Sequence, residues 1–289
     1  MKEICFFNHY HNGDLFHSKP FIKQIVETID TKMYYAHSND PIAIMDLDVE
    51  HITIPGINNY QKFFDSEYTF YVNTWIGSYF GNGVEYSGEC TLRFSYNMFD
   101  NIYRKLNEEF GCNLQLKPIQ EYFPYVDYSK FDCSKIDQFI STNSSRKVLF
   151  SNGPCLSGQC HYTGDMAEII ETLAKNNPEI TFIATHKFNT SIENIEFTND
   201  ILNLNKCDLN EISYLSTFCD MIVGRNSGPF CYSTTKENLN NPNKIFYAFG
   251  ERETDCFIYG LGVQCTFVFE YFSSIETIIE SISNLITES

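Results

Sequence analysis

The residues best placed to do chemistry lie just beyond short apolar runs. After Ile4-Cys5-Phe6-Phe7 comes a polar loop containing Asn12-Gly13-Asp14, and His17 follows where a helical pattern through Phe21, Ile22, Ile25 and Val26 has begun. A carboxylate at such a helix start can take a proton from a substrate hydroxyl, and an imidazole three residues on lies on the same face. The same aspartate can instead cap the helix, a role worth about 1 kcal/mol. In the second half, Val223-Gly224-Arg225-Asn226-Ser227-Gly228-Pro229-Phe230 leads from an apolar run into another helical pattern. A small, donor-rich turn of this kind aims backbone N–H groups and the positive helix end at an anion. Gly228 allows close approach, and Pro229 suits the first turn. Ser151, Asn152 and Gly153 follow one apolar run and Lys187 another, which makes Lys187 the natural cation for a diphosphate. Plainer roles are also open: Ser227 as a cap, the glycines as turn formers, Lys187 as a solvated charge.

Metal chemistry finds little support. His9, His11 and His17 lack a matching Cys or carboxylate set, and Cys155, Cys160 and His161 lack a second Cys/His pair at zinc spacing. No metal and no cofactor is therefore expected. Gly-x-x-x-x-Gly-Lys-Ser/Thr, Gly-x-Gly-x-x-Gly after the first strand, and Gly-x-Ser-x-Gly are all absent, which disfavours a P-loop, a standard dinucleotide site and an α/β-hydrolase.

The frame that carries these residues follows from length and pattern. At 289 residues with 43% hydrophobic and 16% aromatic content, the chain suits two folded domains. With 20 Lys+Arg against 37 Asp+Glu, the net charge of −17 argues against a nucleic-acid partner but leaves room for a small anion held by local donors. The 11 cysteines are odd in number and follow no charged leader, so they read as reduced thiols. No run approaches the length of a membrane span. The expected compartment is the cytoplasm, of a cell or of an infected host; the oligomeric state is not legible.

Apolar runs at 4–8, 32–36, 42–47, 68–76, 147–150, 180–185, 221–224 and 245–249 read as strands, with aromatic residues over 68–86 as core or as exposed rings for stacking. Helices are expected at 91–110 with a stop at Gly111, at 166–175 with Asp165 as N-cap, at 209–218, from the Gly228 turn into Lys236, and at 275–286. This alternation implies an α/β fold of parallel strands with helical crossovers, in which ligands bind beyond the carboxyl ends of the strands. A proline- and tyrosine-rich connector places the boundary within 113–145. The division is 1–140 for an N-terminal domain, 141–272 for a second domain, and 273–289 for a C-terminal helix.

The stretch Asp208-Leu209-Asn210-Glu211-Ile212-Ser213-Tyr214-Leu215, continuing through Asp220-Met221-Ile222-Val223-Gly224-Arg225-Asn226-Ser227-Gly228-Pro229, resembles the donor-site segment of heptosyltransferase-like glycosyltransferases of the GT-B fold. Asn12-Gly13-Asp14-Leu15-Phe16-His17-Ser18-Lys19-Pro20-Phe21 resembles that family's opening Gly-Asp loop. The resemblance implies two Rossmann-like domains with parallel sheets facing across a cleft, the acceptor on the first near Asn12, Gly13 and His17, and a nucleotide-sugar on the second. It implies Asp14 as the base of a metal-independent, inverting transfer to a glycan or small acceptor. Lys187 and the amides of Asn226, Ser227 and Gly228 would then meet the charge on the leaving diphosphate. Where the family carries a histidine after its Ser-Gly-Pro, this chain has Phe230, Cys231 and Tyr232, so the sugar is not named. A nucleotide-sugar epimerase or hydrolase using His17, His161 or His186, and a non-catalytic binding or assembly protein, are the alternatives.

Overall fold

Strands buried on both faces need apolar side chains at every position, and the first run meets that demand: Ile4, Cys5, Phe6 and Phe7 are all 0% exposed. The computed structural model describes residues 2–8, 12–37, 44–54, 63–78, 90–153, 166–203, 208–225, 228–253, 256–271 and 274–288. Its packing divides into two units, Met1–Tyr125 and Val126–Ser289, each with its own sheet.

In the first unit, β1 (Glu3–Phe7) leads into α1 (Asn12–Thr28), then β2 (Met33–His37), β3 (Glu50–Thr53), β4 (Phe63–Asp65), β5 (Thr69–Asn73) and α2 (Thr91–Phe110). The sheet order is β3-β2-β1-β5-β4, parallel except for β4 against β5. Cys5 and Phe7 pack with Tyr34 and Ala36 on one face. Phe21 of α1 stacks between Phe99 of α2 at 4.4 Å and Tyr122 at 4.0 Å. α1 is buried without interruption from Leu15 to Ile22, including the charged Lys19. Lys19 enters the interior because Asp46 accepts from its Nζ at 2.5 Å, with both side chains fully buried.

α2 is the clearest amphipathic helix. Leu92, Met98, Phe99, Ile102 and Leu106 bury one stripe. It stops at Gly111, where φ is 64° and the N–H donates to Asn107 O at 3.0 Å. The strand expected over 42–47 is not formed: residues 44–47 make a turn closed by Leu47 N to Ile44 O at 3.0 Å, while 42–43 lie outside the described residues. Ile44 and Leu47 sit three apart, a spacing that buries both from one side of a turn. The strand lies further on, at β3, where Glu50-His51-Ile52-Thr53 is too polar to read as one.

In the second unit the order is α3 (Ser134–Thr142), β6 (Arg146–Ser151), α4 (Ala167–Asn176), β7 (Ile180–Ala184), β8 (Ile195–Phe197), α5 (Thr198–Ile201), α6 (Leu209–Thr217), β9 (Met221–Gly224), α7 (Gly228–Ser233), α8 (Lys236–Leu239), β10 (Ile245–Gly250), β11 (Thr266–Tyr271) and α9 (Ile275–Glu288). The sheet, β11-β10-β9-β6-β7-β8, is parallel throughout. Val148, Phe150, Phe182, Val223 and Tyr247 form its core with Ile169, Ile170 and Leu173 of α4 and Ile278, Ile282 and Ile286 of α9. Buried Lys244 closes the end of α6, donating to the carbonyls of Ser216 at 2.9 Å, Thr217 at 3.1 Å and Cys219.

Two helix expectations need correction. α4 starts at Ala167 with Met166 in the capping position, which makes no side-chain cap bond; Asp165 lies outside the described residues. The helix from Gly228 into Lys236 breaks at Thr234, because the Thr235 hydroxyl accepts from Asn238 N at 3.3 Å and starts α8 afresh. Among the described residues no helix is long and apolar enough to cross a membrane.

Gly111 offers a clean test of what stops α2. Nothing lies within 4 Å of a Cβ built there, so Gly111→Ala should cost only its left-handed strain. That cost is about 1 kcal/mol, seen as a lower urea midpoint at unchanged slope, with Gly111→Asn in between.

Candidate functional site

In each unit the carboxyl ends of the parallel strands gather polar side chains. In the first, Asn12 opens α1 at the surface, Gly13 is half-buried, and Asp14 stands third in the helix. The capping alternative is therefore corrected: Asp14 belongs to the first turn, where the helix dipole favours a negative charge. Burial nevertheless pushes its carboxyl up to about 7, although part of the residue's surface stays accessible. A carboxyl with that pKa exchanges protons near neutrality. His17 departs from expectation. It is 3% exposed, and burial holds its imidazole well below the usual histidine range, so it is a neutral residue of the helix interior and not a surface contact.

Beside Asp14 the ends of β1, β2 and β5 are joined by hydroxyls. The fully buried Tyr35 hydroxyl bonds to the Thr74 hydroxyl, and Thr74 N donates to Phe7 O at 3.0 Å. Burial pushes the Tyr35 phenol above its usual range, and the charge of nearby Asp14 adds to that rise. His37 stacks on Tyr35 at 4.8 Å and brings its Nε2 3.4 Å from Nδ1 of His51. Sequence reading passed over these residues. The available signal was a polar residue ending an apolar run, as in Tyr35-Ala36-His37 and Val72-Asn73-Thr74.

In the second unit, Ser151, Asn152 and Gly153 come together as expected, with Arg225 added. The Asn152 carboxamide grips the tip of β7: Oδ1 accepts from His186 N at 2.7 Å, and Nδ2 donates to His186 O at 2.8 Å. Arg225 is 2% exposed and donates through Nη2 to Asn152 O at 3.3 Å and Gly153 O at 2.6 Å. Gly224 is required here, since a Cβ would fall 2.8 Å from Ser151 Cβ and 2.9 Å from Ser151 O. Gly228 begins α7 close to Leu209, with Pro229 second; Asn226 and Ser227 lie outside the described residues. Lys187 is exposed, but its Nζ lies 2.6 Å from Asp200 Oδ1. His186 is exposed at the same edge.

Among the described residues no group of three or more His, Cys, Asp or Glu is arranged to hold a metal ion. His9, His11, Cys155, Cys160 and His161 lie outside the described residues. Cys5 and Cys219 carry free thiols that burial pushes up to about 12.

The fold has known counterparts. The chain matches the glycosyl transferase family 9 protein of Veillonella parvula with a TM-score of 0.52 and 11% identity, over 100% of this chain and 98% of that one. It matches the Escherichia coli ADP-heptose LPS heptosyltransferase II with a TM-score of 0.58 and 11% identity, over 100% and 99%. A protein described as a UDP-N-acetylglucosamine 2-epimerase, from Listeria monocytogenes, matches with a TM-score of 0.52 and 10% identity, over 99% and 88%. No family model matches the sequence, and no curated protein is significantly similar to it. At such identities the likeness is one of fold: two Rossmann-like units of the GT-B type.

Asn152 is the residue on which the second edge turns. Asn152→Ala should destabilise the chain by about 1–3 kcal/mol, by stranding the main chain of His186, and should speed hydrogen exchange at the His186 amide. Unchanged exchange there would show that the carboxamide does not hold β7.

Proposed function

We propose that the chain transfers a sugar from a nucleotide-sugar to a hydroxyl of a glycan or small-molecule acceptor, with inversion and without a metal ion. The observation that carries this reading is Asp14: a carboxyl with a pKa of about 7, in the first turn after β1, on a chain with the fold of the heptosyltransferases. Asp14 takes the acceptor's O–H proton while that oxygen attacks the anomeric carbon. The bond from that carbon to the diphosphate oxygen breaks, and its electron pair leaves with the diphosphate. Attack opposite the leaving group inverts the centre.

Donors at the second edge meet the charge that develops on the leaving group: Lys187, Arg225 and the amides around Asn226, Ser227 and Gly228. Ser151, Asn152 and Gly153 frame that edge, and Asn12 and Gly13 border the acceptor. Epimerisation would need a further acid or base, and buried, neutral His17 is poorly suited to supply one. A binding protein without catalysis would not depend on the carboxylate of Asp14.

Asp14→Asn should lower transfer at least ~100-fold. In the unaltered chain the rate should fall about tenfold per pH unit below about 7, as Asp14 protonates, and this limb should be missing from the residual rate of the variant. Stability gives an independent check. A raised carboxyl pKa means that the folded state holds the proton more tightly, so stability declines as pH rises from about 4 to about 7 and stays lower above. Asp14→Asn should therefore raise Tm at pH 8 but hardly at pH 4. Transfer unaffected by this substitution would leave the fold without the proposed chemistry.

A further inference from the structure

Lys187, taken above as a diphosphate contact, already faces a carboxylate. Its Nζ lies 2.6 Å from Asp200 Oδ1, and the two side chains are 52% and 53% exposed, so the pair is open to a ligand. The partner is built in. Asp200 lies in the first turn of α5, and α5 is tied to the tip of β7 by Thr198, whose Oγ1 donates to Thr185 O at 3.4 Å. Lys187 Nζ also lies 6.0 Å from the ring of Phe197, which Phe188 holds edge-on at 5.3 Å. Glu196 adds a second carboxyl nearby, raised above its usual range by burial and then by the charge of Asp200. An anion approaching Lys187 thus meets negative charge on the same short segment.

We propose that Asp200 is a specificity-determining residue that grades ligands at Lys187 by their phosphate charge. This rests on the nucleotide-sugar reading. A sugar ester of a nucleoside diphosphate carries one negative charge fewer than the free nucleoside diphosphate. When the glycosyl bond breaks, the electron pair stays on the diphosphate oxygen and the acceptor's proton goes to Asp14, so the new charge appears next to Asp200. The donor is admitted, and the product is repelled once it forms. Asp200 then displaces it by re-forming the pair with Lys187. Because the pair is exposed, breaking it costs little and the grading is moderate.

The test is isothermal titration of the unaltered chain, Asp200→Asn and Lys187→Met with ADP, GDP, UDP and CDP and with the glucose ester of each, at pH 8 in low salt. Both positions are surface sites, so folding should be preserved. Asp200→Asn should bind a nucleoside diphosphate about three- to tenfold tighter, with a smaller gain for its glucose ester, and both gains should shrink in high salt. Lys187→Met should weaken both ligands. If the unaltered chain binds a nucleotide and Asp200→Asn binds both forms no better, or gains equally for both, the assignment to Asp200 is overturned while the nucleotide-sugar reading stands. If none of the three proteins binds any of the eight ligands, both fall together.

Discussion

Parallel pairing is the constraint from which the rest of the molecule follows. Two parallel strands cannot be joined by a tight turn, so the chain must run back along the sheet between them, as α1 does between β1 and β2, α4 between β6 and β7, and α7 and α8 between β9 and β10. β1 lies between β2 and β5, and β6 between β7 and β9, in parallel in every case. Apolar side chains then fill both faces, and polar groups are left to the edges. The carboxyl edge of each sheet receives Asp14, Tyr35 and Thr74 in one unit and Asn152, Arg225 and Lys187 in the other.

The two edges are secured by different chemistry. In the first unit hydroxyls bridge the strand ends, and a fully buried Lys19–Asp46 pair fixes α1 against the turn before β3. Desolvating two charges offsets most of their attraction, so such a pair adds little net stability, yet losing one partner would strand the other. Its effect is to fix where the 44–47 turn sits. In the second unit an amide and a guanidinium bind main-chain atoms directly, so the path of the backbone at Gly153 and His186 rests on the side chains of Arg225 and Asn152. Asp14 owes its raised pKa to the depth at which α1 lies, against the opposing pull of the helix dipole.

Elements whose signal is local were legible in the sequence. α2 was readable to the residue, because its apolar stripe and Gly111 are both encoded within it, and β9 likewise. β3 and β8 were not: Glu50-His51-Ile52-Thr53 and Ile195-Glu196-Phe197 are too short or too polar to declare themselves, and only pairing with a neighbour makes them strands, whereas β11, Thr266-Phe267-Val268-Phe269-Glu270-Tyr271, carries a strand's composition and was passed over. The site divides in the same way. Asp14 and the Ser151-Asn152-Gly153 tip follow from their place after a strand. Burial of His17, pairing of Lys187 with Asp200 and the clamp of Arg225 each depend on residues distant in sequence, which neither spacing nor composition reports.

Lys244 shows how such distant dependence shapes tolerance to sequence change. Its ammonium holds the end of α6 through main-chain carbonyls alone, those of Ser216, Thr217 and Cys219. Carbonyls are the same whatever side chains surround them. This contact therefore makes no demand on the side chains of that turn, while the demand for a long, flexible cation falls on a single position at the entrance to β10.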